Sequence, residues 1–315
     1  MHHIFRNHSK VFSLLLKVGL MVLAFWFVFH GVDGSQLAQM LRTQRHSALL
    51  EASAFLLLQM VFGALRWRYI LAALCPQKSQ ITSIVHTIKY FYISMFFNCC
   101  LPGTVGGDVI RVFLIKSEHT PLPLAISSVV IDRMMALLAL GVMGFLTMPF
   151  LAEYIGISAW VLMPICAVLG VFGLVTLFNL DKIPFLQKFG WLVHLLHSLR
   201  LLLANKKILL MSIILAIIAH CWFCLSAYIL AESLGSPISL LDSFTLIPWV
   251  LLISIIPLSI GGWGLREAAM VYALALVAVP QEAALTLSIQ LGLLLIISSL
   301  PAGVLWLINK KQKNH

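Results

Sequence analysis

Long apolar runs separated by short polar segments dominate this 315-residue chain. About 20 apolar residues suffice for a helix to cross a bilayer core, and runs of that order recur throughout. The runs predict helices at 11–30, 47–65, 81–101, 108–116, 124–149, 157–179, 208–231, 241–256, 262–279 and 283–309. A transmembrane β-barrel would show short alternating segments instead. The pattern therefore predicts an all-α, polytopic integral membrane protein.

Composition agrees with this fold class and excludes a nucleic-acid partner. The chain is 61% hydrophobic and 10% charged, whereas a soluble domain carries about 25% charged residues. The net charge of +10 is that of basic residues held at the cytoplasmic face of a membrane. We therefore expect a cell inner-membrane protein with cytoplasmic N- and C-termini. The run 11–30 lacks a cleavage pattern and is interpreted as a retained helix.

The charge of the connections sets the direction of each helix. The basic segment that follows the helix at 47–65, with Arg66 and Arg68, is placed inside. The segments 150–157 and 232–240 contain only Glu153 and Glu232 as charged residues, so they are placed outside. By parity, the segments 81–116 and 241–279 must each enter and leave the membrane on one side. Each is therefore predicted to be a broken hairpin, either re-entrant or fully spanning.

A short motif occurs twice. "LPGTVGGDVIR" at 101–111 aligns with "IPLSIGGWGLR" at 256–266, and the same offset of 155 residues relates the flanking predicted helices. Since the predicted directions of the two halves are opposite, the pattern favours inverted-topology repeats, which are typical of alternating-access transporters. Chance similarity of two loops is the alternative.

These features predict one transmembrane domain with five parts. They are an N-terminal helix and loop (1–46), a first repeat (47–150), a linker (151–202), a second repeat (203–309) and a basic tail (310–315). The linker includes an amphipathic stretch, 185–203, whose polar arc contains Gln187, His194, His197 and Ser198. This pattern suits a helix in the cytoplasmic interface, and the histidines are interpreted as solvent-facing, not as a metal pair.

The two motifs have the chemistry of an anion site. Proline followed by Gly-Gly interrupts a helix, and the helix that restarts at Asp108 directs free N–H groups toward the break. Arg111 on its first turn can bind phosphate in a bidentate manner, and Arg266 repeats the arrangement. We expect the two sites to face each other, bordered by Asn98.

Charged residues inside apolar helices are costly, so Asp132, Arg133 and Glu267 are expected to face a partner or a cavity. One possibility is that Asp108, Asp132 and Glu267 carry protons. The alternative is mutual neutralisation, for instance Asp132 by Arg111 and Glu267 by a cation of the other half. The chain has no P-loop motif, so ATP hydrolysis is not expected. Cys221 and Cys224 lie within an apolar run without further ligands, so no metal site is expected, and no cofactor is expected either.

Three stretches together resemble a known family. "FFNCCLPGTVGGDVIRVFLI", "SSVVIDRMMALLAL" and "PLSIGGWGLREAAMVYAL" are similar to the membrane domain of the lysylphosphatidylglycerol synthase/flippase (MprF-type) superfamily, with its YbhN-like and AglD-like members. The resemblance covers roughly 47–309. It implies substrate-binding positions at Asn98, Pro102, Gly103, Gly106, Gly107, Asp108, Arg111, Gly261, Gly262, Gly264 and Arg266, and charge-partner or coupling positions at Asp132, Arg133 and Glu267.

The resemblance implies movement of an anionic or aminoacylated phospholipid, or of a polyprenyl-phosphate-linked glycan, between leaflets. The chain ends at His315 without the soluble synthase domain, so lipid aminoacylation is not expected and the protein is not expected to be an enzyme. The alternative function is a non-catalytic scaffold or accessory subunit that contacts envelope-synthesis enzymes. A membrane enzyme acting on lipids is a weaker third possibility, since no paired catalytic carboxylates or metal cluster border the motifs.

Overall fold

A computed structural model describes residues 42–75, 83–100, 106–116, 120–158, 190–236, 238–255 and 264–312, together with the single positions 35, 39, 160, 161, 163, 164 and 168. Side chains are described as far as Leu307. The helix predicted at 11–30 lies outside the described residues, and that predicted at 157–179 lies largely outside them. The motif residues Pro102, Gly103, Gly261 and Gly262 also lie outside them.

Helix is the regular secondary structure throughout the described residues. In chain order the helices are α1 (His46–Leu74), α2 (Ile84–Cys100), α3 (Gly106–Lys116), α4 (Leu122–Leu146), α5 (Met148–Ile155), α6 (Gly190–Ala204), α7 (Lys206–Ser233), α8 (Leu240–Ser254), α9 (Leu265–Ala275) and α10 (Gln281–Gln312). The all-α prediction is confirmed.

Four of the described helices are long and apolar enough to cross a membrane. They are α1, α4, α7 and the 281–307 part of α10. The paired helices α2–α3 and α8–α9 are shorter and occupy the positions of the two predicted hairpins. The described part of the chain is thus a membrane-type helical bundle with four long helices and two interrupted segments.

Helix α1 continues nine residues beyond its predicted end at 65. The prediction that Arg66 and Arg68 belong to a cytoplasmic connection is therefore wrong. Arg66 is buried inside the bundle, where it pairs with Asp132. Because the carboxylate neutralises the guanidinium, the helix contains this charge without ending.

Helix α4 is shorter than its prediction. It ends at Leu146, where the Thr147 hydroxyl donates to the carbonyl of Met143, and Pro149 opens the following helix α5. Proline in the first turn of a helix sacrifices no hydrogen bond, whereas it would disrupt a continuous one. The predicted single helix over 124–149 is therefore two helices.

The amphipathic stretch predicted at 185–203 is helical from Gly190 onward, as α6, with a different polar face. His194 and His197 are exposed as expected, but Ser198 is buried. The apolar side of α6 packs against α1 and α4, through a cluster that contains Leu195, Leu199, Leu202, Ile70, Ile131 and Met135. Helix α6 therefore packs over the line of contact between α1 and α4.

Packing within the bundle follows a matched pattern. The contacts α1–α2, α2–α3, α3–α4 and α1–α4 have counterparts in α7–α8, α8–α9, α9–α10 and α7–α10. Contacts between the halves also match, since α2 packs on α10 as α8 packs on α4, and α4 packs on α7 as α10 packs on α1.

Helices α1 and α7 run antiparallel. Gln44, just before α1, donates to Ser233 at the end of α7. Further along α1, the carbonyl of Ala52 accepts from Ser226. Beyond it, the ring of Phe55 packs on that of Trp222 at 5.3 Å between centroids. Residue numbers therefore increase along α1 while those of the contacting residues in α7 decrease, as in an antiparallel pair.

Candidate functional site

Five charged residues, four of them buried, form one network, here called the first charge cluster. Asp132 accepts from Arg66 Nε at 2.7 Å and from Arg111 Nη1 at 3.0 Å. Asp108 accepts from Arg111 Nη2 at 3.2 Å and from Arg133 Nε at 2.8 Å. The first charge cluster therefore joins α1, α3 and α4 through two carboxylates shared among three arginines.

Aromatic rings fix the central arginine of this cluster. The guanidinium carbon of Arg111 lies 4.6 Å from the ring centroid of Trp67 and 5.1 Å from that of Phe91. The indole of Trp67 is held in turn by a hydrogen bond to Ser128. Cation–π contacts gain strength when the cation is desolvated, so Arg111, 1% exposed, is positioned by charge and by ring faces together.

Gly107, the second glycine of the Gly-Gly pair, sets how closely α2 and α3 approach. A Cβ at Gly107 would lie 1.8 Å from the backbone oxygen of Ser94, and the Gly107 N–H donates to Asn98 Oδ1 at 2.9 Å. Only glycine fits such a contact. Asn98 and Gly107 thereby position the start of α3, and with it Asp108 and Arg111.

The second motif forms a smaller group, the second charge cluster. Arg266 Nη2 donates to Glu267 Oε1 at 2.7 Å, and Ser288 on α10 bonds both side chains. The other oxygen of Glu267 accepts from the backbone N–H of Gly264, whose φ of 85° glycine adopts readily. Glu267 therefore ties the start of α9 to its own arginine.

The buried carboxylates and arginines neutralise each other, which is the alternative given above for their role. Asp132 pairs with Arg111, as that alternative expects. Among the described residues, Glu267 pairs with its neighbour Arg266 and not with a cation of the other half, which differs from that alternative. The described contacts within each cluster stay inside its own half, and none of them brings Arg111 and Arg266 together.

Sequence reasoning missed Arg66, Trp67, Phe91 and Ser288. The signal for Arg66 is present, because the apolar pattern continues to Leu74 on both sides of it. A charge embedded in an apolar helix implies a partner, and Asp132 is a matching intramembrane carboxylate. No comparable signal marks Ser288 or the two aromatic residues.

Some hydrogen-bond donors in and beside the first charge cluster have no described acceptor. Arg111 Nε and Asn98 Nδ2 are buried and hydrogen-bond to no described residue. Arg133 is buried less deeply, with 43% of its side chain exposed. The cluster thus contains three guanidinium groups and two carboxylates.

Metal chemistry has no support in the described part of the chain. No group of three histidine, cysteine or acidic side chains there could hold an ion. Cys221 and Cys224 are free thiols on α7, and both belong to or pack against the main apolar core.

Long apolar helices that enclose paired charges define a polytopic α-helical membrane protein. A family model, the lysylphosphatidylglycerol synthase TM region, matches residues 14–303. The chain therefore belongs to this family, as its motifs indicate, and the family suggests a role related to membrane lipids. A search of curated proteins gave no match.

Proposed function

We propose that the protein moves an anionic or aminoacylated phospholipid, or a polyprenyl-phosphate-linked glycan, between the leaflets of a cell inner membrane. The observation that carries the proposal is the buried arginine network beside the first motif, where Arg111 Nε and Asn98 Nδ2 are buried donors that bond to no described residue. A charge near the centre of a bilayer costs about 2.5–3.5 kcal/mol on insertion scales, so it implies a partner or a substrate.

Arg133 is the group proposed to contact the headgroup phosphate. Its guanidinium is the most accessible of the three in the cluster, and Asp108 orients it by accepting from Nε at 2.8 Å. A planar guanidinium held in this way suits bidentate binding of phosphate. Arg66 and Arg111 are too deeply buried for direct contact without rearrangement. We propose that they and the two carboxylates position Arg133.

Alternating access between two inverted repeats is proposed as the mechanism. Matched helix contacts in the two halves and the antiparallel pair α1–α7 support this relation. An in-plane pseudo-twofold axis would make equivalent helices antiparallel in this way. The two interrupted segments would be the moving hairpins, and the termini would lie on the cytoplasmic side. The protein would act without enzymatic chemistry of its own.

The test is leaflet exchange by the purified full chain in liposomes. A fluorescent phosphatidylglycerol is placed in both leaflets, and a membrane-impermeant reductant reports the fraction that reaches the outer leaflet. We expect Arg133→Gln to slow exchange at least about fivefold, the effect of losing one charged hydrogen bond. The matched control is Arg45→Gln, since Arg45 forms an exposed ion pair with Glu51. Equal rates for wild type and Arg133→Gln would refute the proposed role of Arg133.

One specific observation favours the alternative function, a non-catalytic scaffold or accessory subunit. Arg66, Arg111 and Arg266 each pair with a carboxylate, as arginines that only hold helices together would. This alternative expects no exchange by purified wild-type protein, and expects Arg111→Gln to lower protein abundance. Co-purification of envelope-synthesis enzymes with the wild-type chain would then support it.

A further inference from the structure

A cavity of about 450 Å³ lies between α6, the end of α1 and the start of α4, and its lining contains no residue of either charge cluster. Its wall includes Leu74 of α1, Leu124 of α4 and Leu201 of α6. Binding sites for small ligands are typically about 300–1,000 Å³, mostly apolar, with a few converging polar groups. The volume and apolar wall of this cavity match that description.

Two buried serine side chains line the cavity. Ser127 is 1% exposed and Ser198 is 8% exposed. Neither hydroxyl hydrogen-bonds to another described residue, whereas the adjacent Ser128 donates to Ala125 and accepts from Trp67. Neither oxygen is among the fully enclosed, unpartnered side-chain atoms, so both hydroxyls open onto the cavity and can bond to a ligand there.

The groups around the cavity favour an anion as that ligand. The cavity meets the first turn of α4 at Pro121 and Pro123, and no side chain caps this helix end. The N-terminus of a long helix carries a partial positive charge. Because Pro121 and Pro123 have no N–H, the free donors of this first turn are the N–H groups of Leu122 and Leu124. His194 and His197 add imidazole donors at the mouth. Helix α6 contains Arg200 and no acidic residue.

We propose that this cavity binds the phosphate of a membrane lipid, with Ser127 and Ser198 donating to phosphate oxygens. His194 and His197 close the site from α6, and the proximal part of an acyl or prenyl chain lies on the leucine wall. The site is separate from Arg133, and the proposal does not depend on transport.

The test measures lipid binding to the full chain in neutral detergent by native mass spectrometry. Dioleoyl phosphatidylglycerol is compared with dioleoylglycerol, which has the same chains and no phosphate. Glycerol 3-phosphate is the soluble competitor. All variants are built on Arg133→Gln, so that the proposed transport site does not contribute to the binding that is measured.

We expect phosphatidylglycerol to bind at least about tenfold more tightly than dioleoylglycerol, as two or more hydrogen bonds to a charged group would produce. Ser127→Ala with Ser198→Ala should remove most of this preference, and so should His194→Gln with His197→Gln. Two matched controls should leave binding unchanged. They are Ser212→Ala, at a buried hydroxyl on α7 that bonds to no described residue, and His46→Gln, at an exposed histidine that begins α1.

Each result decides the proposal. Competition by glycerol 3-phosphate at equal affinity would identify a soluble phosphate ester as the ligand and would overturn the assignment to a lipid. Equal binding of the two lipids, or full binding by the serine double variant, would overturn the proposal as a whole. If the double variant is unstable, a photoreactive residue at Leu201, 47% exposed, provides a second measurement. Failure of phosphatidylglycerol to crosslink there would also overturn it.

Discussion

Replacing Asp132 with asparagine tests the first charge cluster most directly. The change keeps the size of the side chain and removes the carboxylate that Arg66 and Arg111 share. Both arginine side chains are nearly fully buried, at 6% and 1% exposure, so water cannot replace the lost partner. The asparagine amide offers one acceptor oxygen where the carboxylate offers two, and it carries no charge.

The expected loss is large. At an effective dielectric constant of about 20, unit charges about 4 Å apart attract by about 4 kcal/mol. Measured losses on removing one member of a buried ion pair are about 3–5 kcal/mol, because the remaining charge stays buried. We expect Asp132→Asn to lower the free energy of unfolding by that amount. Glu51→Gln breaks the exposed Arg45–Glu51 pair and should cost at most about 1 kcal/mol.

A double-mutant cycle separates pairing from general damage. Arg66→Gln combined with Asp132→Asn restores the original net charge of the cluster, so the double variant should be less destabilised than the sum of the single variants, by about 1–3 kcal/mol. The assay is denaturant unfolding in mixed micelles, followed by tryptophan fluorescence. If Asp132→Asn behaves like Glu51→Gln, or if the cycle is additive, the reasoning about a shared buried carboxylate is refuted.

Three further changes test other parts of the structure. Gly107→Ala should lower the free energy of unfolding by about 3 kcal/mol in a denaturant experiment, because the new Cβ would clash with the backbone of α2. The control is Gly141→Ala on α4, where a Cβ meets nothing within 4 Å, and it should raise the free energy of unfolding by up to about 1 kcal/mol. Ser288→Ala should lower stability by about 1–2 kcal/mol, since Arg266 and Glu267 each lose a hydrogen bond; an unchanged melting temperature would contradict this. The hydrogen bond to Asp242 raises the pKa of Tyr154 from 10.0 to about 12, so its stabilisation is complete below pH 10 and is lost as the pH rises to 12. The melting-temperature difference between wild type and Tyr154→Phe should therefore vanish over that range, and a constant difference would refute this linkage.

Sequence predicted the helical architecture well because the signal is the length of apolar runs. Helices α7, α8 and α10 begin and end within a few residues of their predicted bounds. The prediction failed at the end of α1, because it treats Arg66 as the start of a solvated connection. Basic residues mark a membrane boundary only when they are solvated, and a carboxylate 66 positions away removes that requirement.

The positions of the motif residues in the fold were predicted, whereas the pairing of their side chains was not. The motif positions Asp108, Arg111 and Arg266 do occupy interrupted segments of the bundle. Their pairing depends on which side chains the packing of α1 and α4 brings within reach, and no local pattern encodes that distance. The aromatic contact of Phe91 with Arg111 likewise arises only from the close approach that Gly107 permits.

The two clusters show that the halves share an arginine position and not an ion pair. With the 155-residue offset, Asp132 corresponds to Leu287, and Glu267 corresponds to Val112. Each half thus neutralises its arginine with a carboxylate from a different position. Ser288 stands where the first half has Arg133, so the accessible guanidinium belongs to the first cluster. If the halves move as inverted repeats, an anion should therefore meet its stronger contact in the first half, and Arg133→Gln should impair exchange more than Ser288→Ala does.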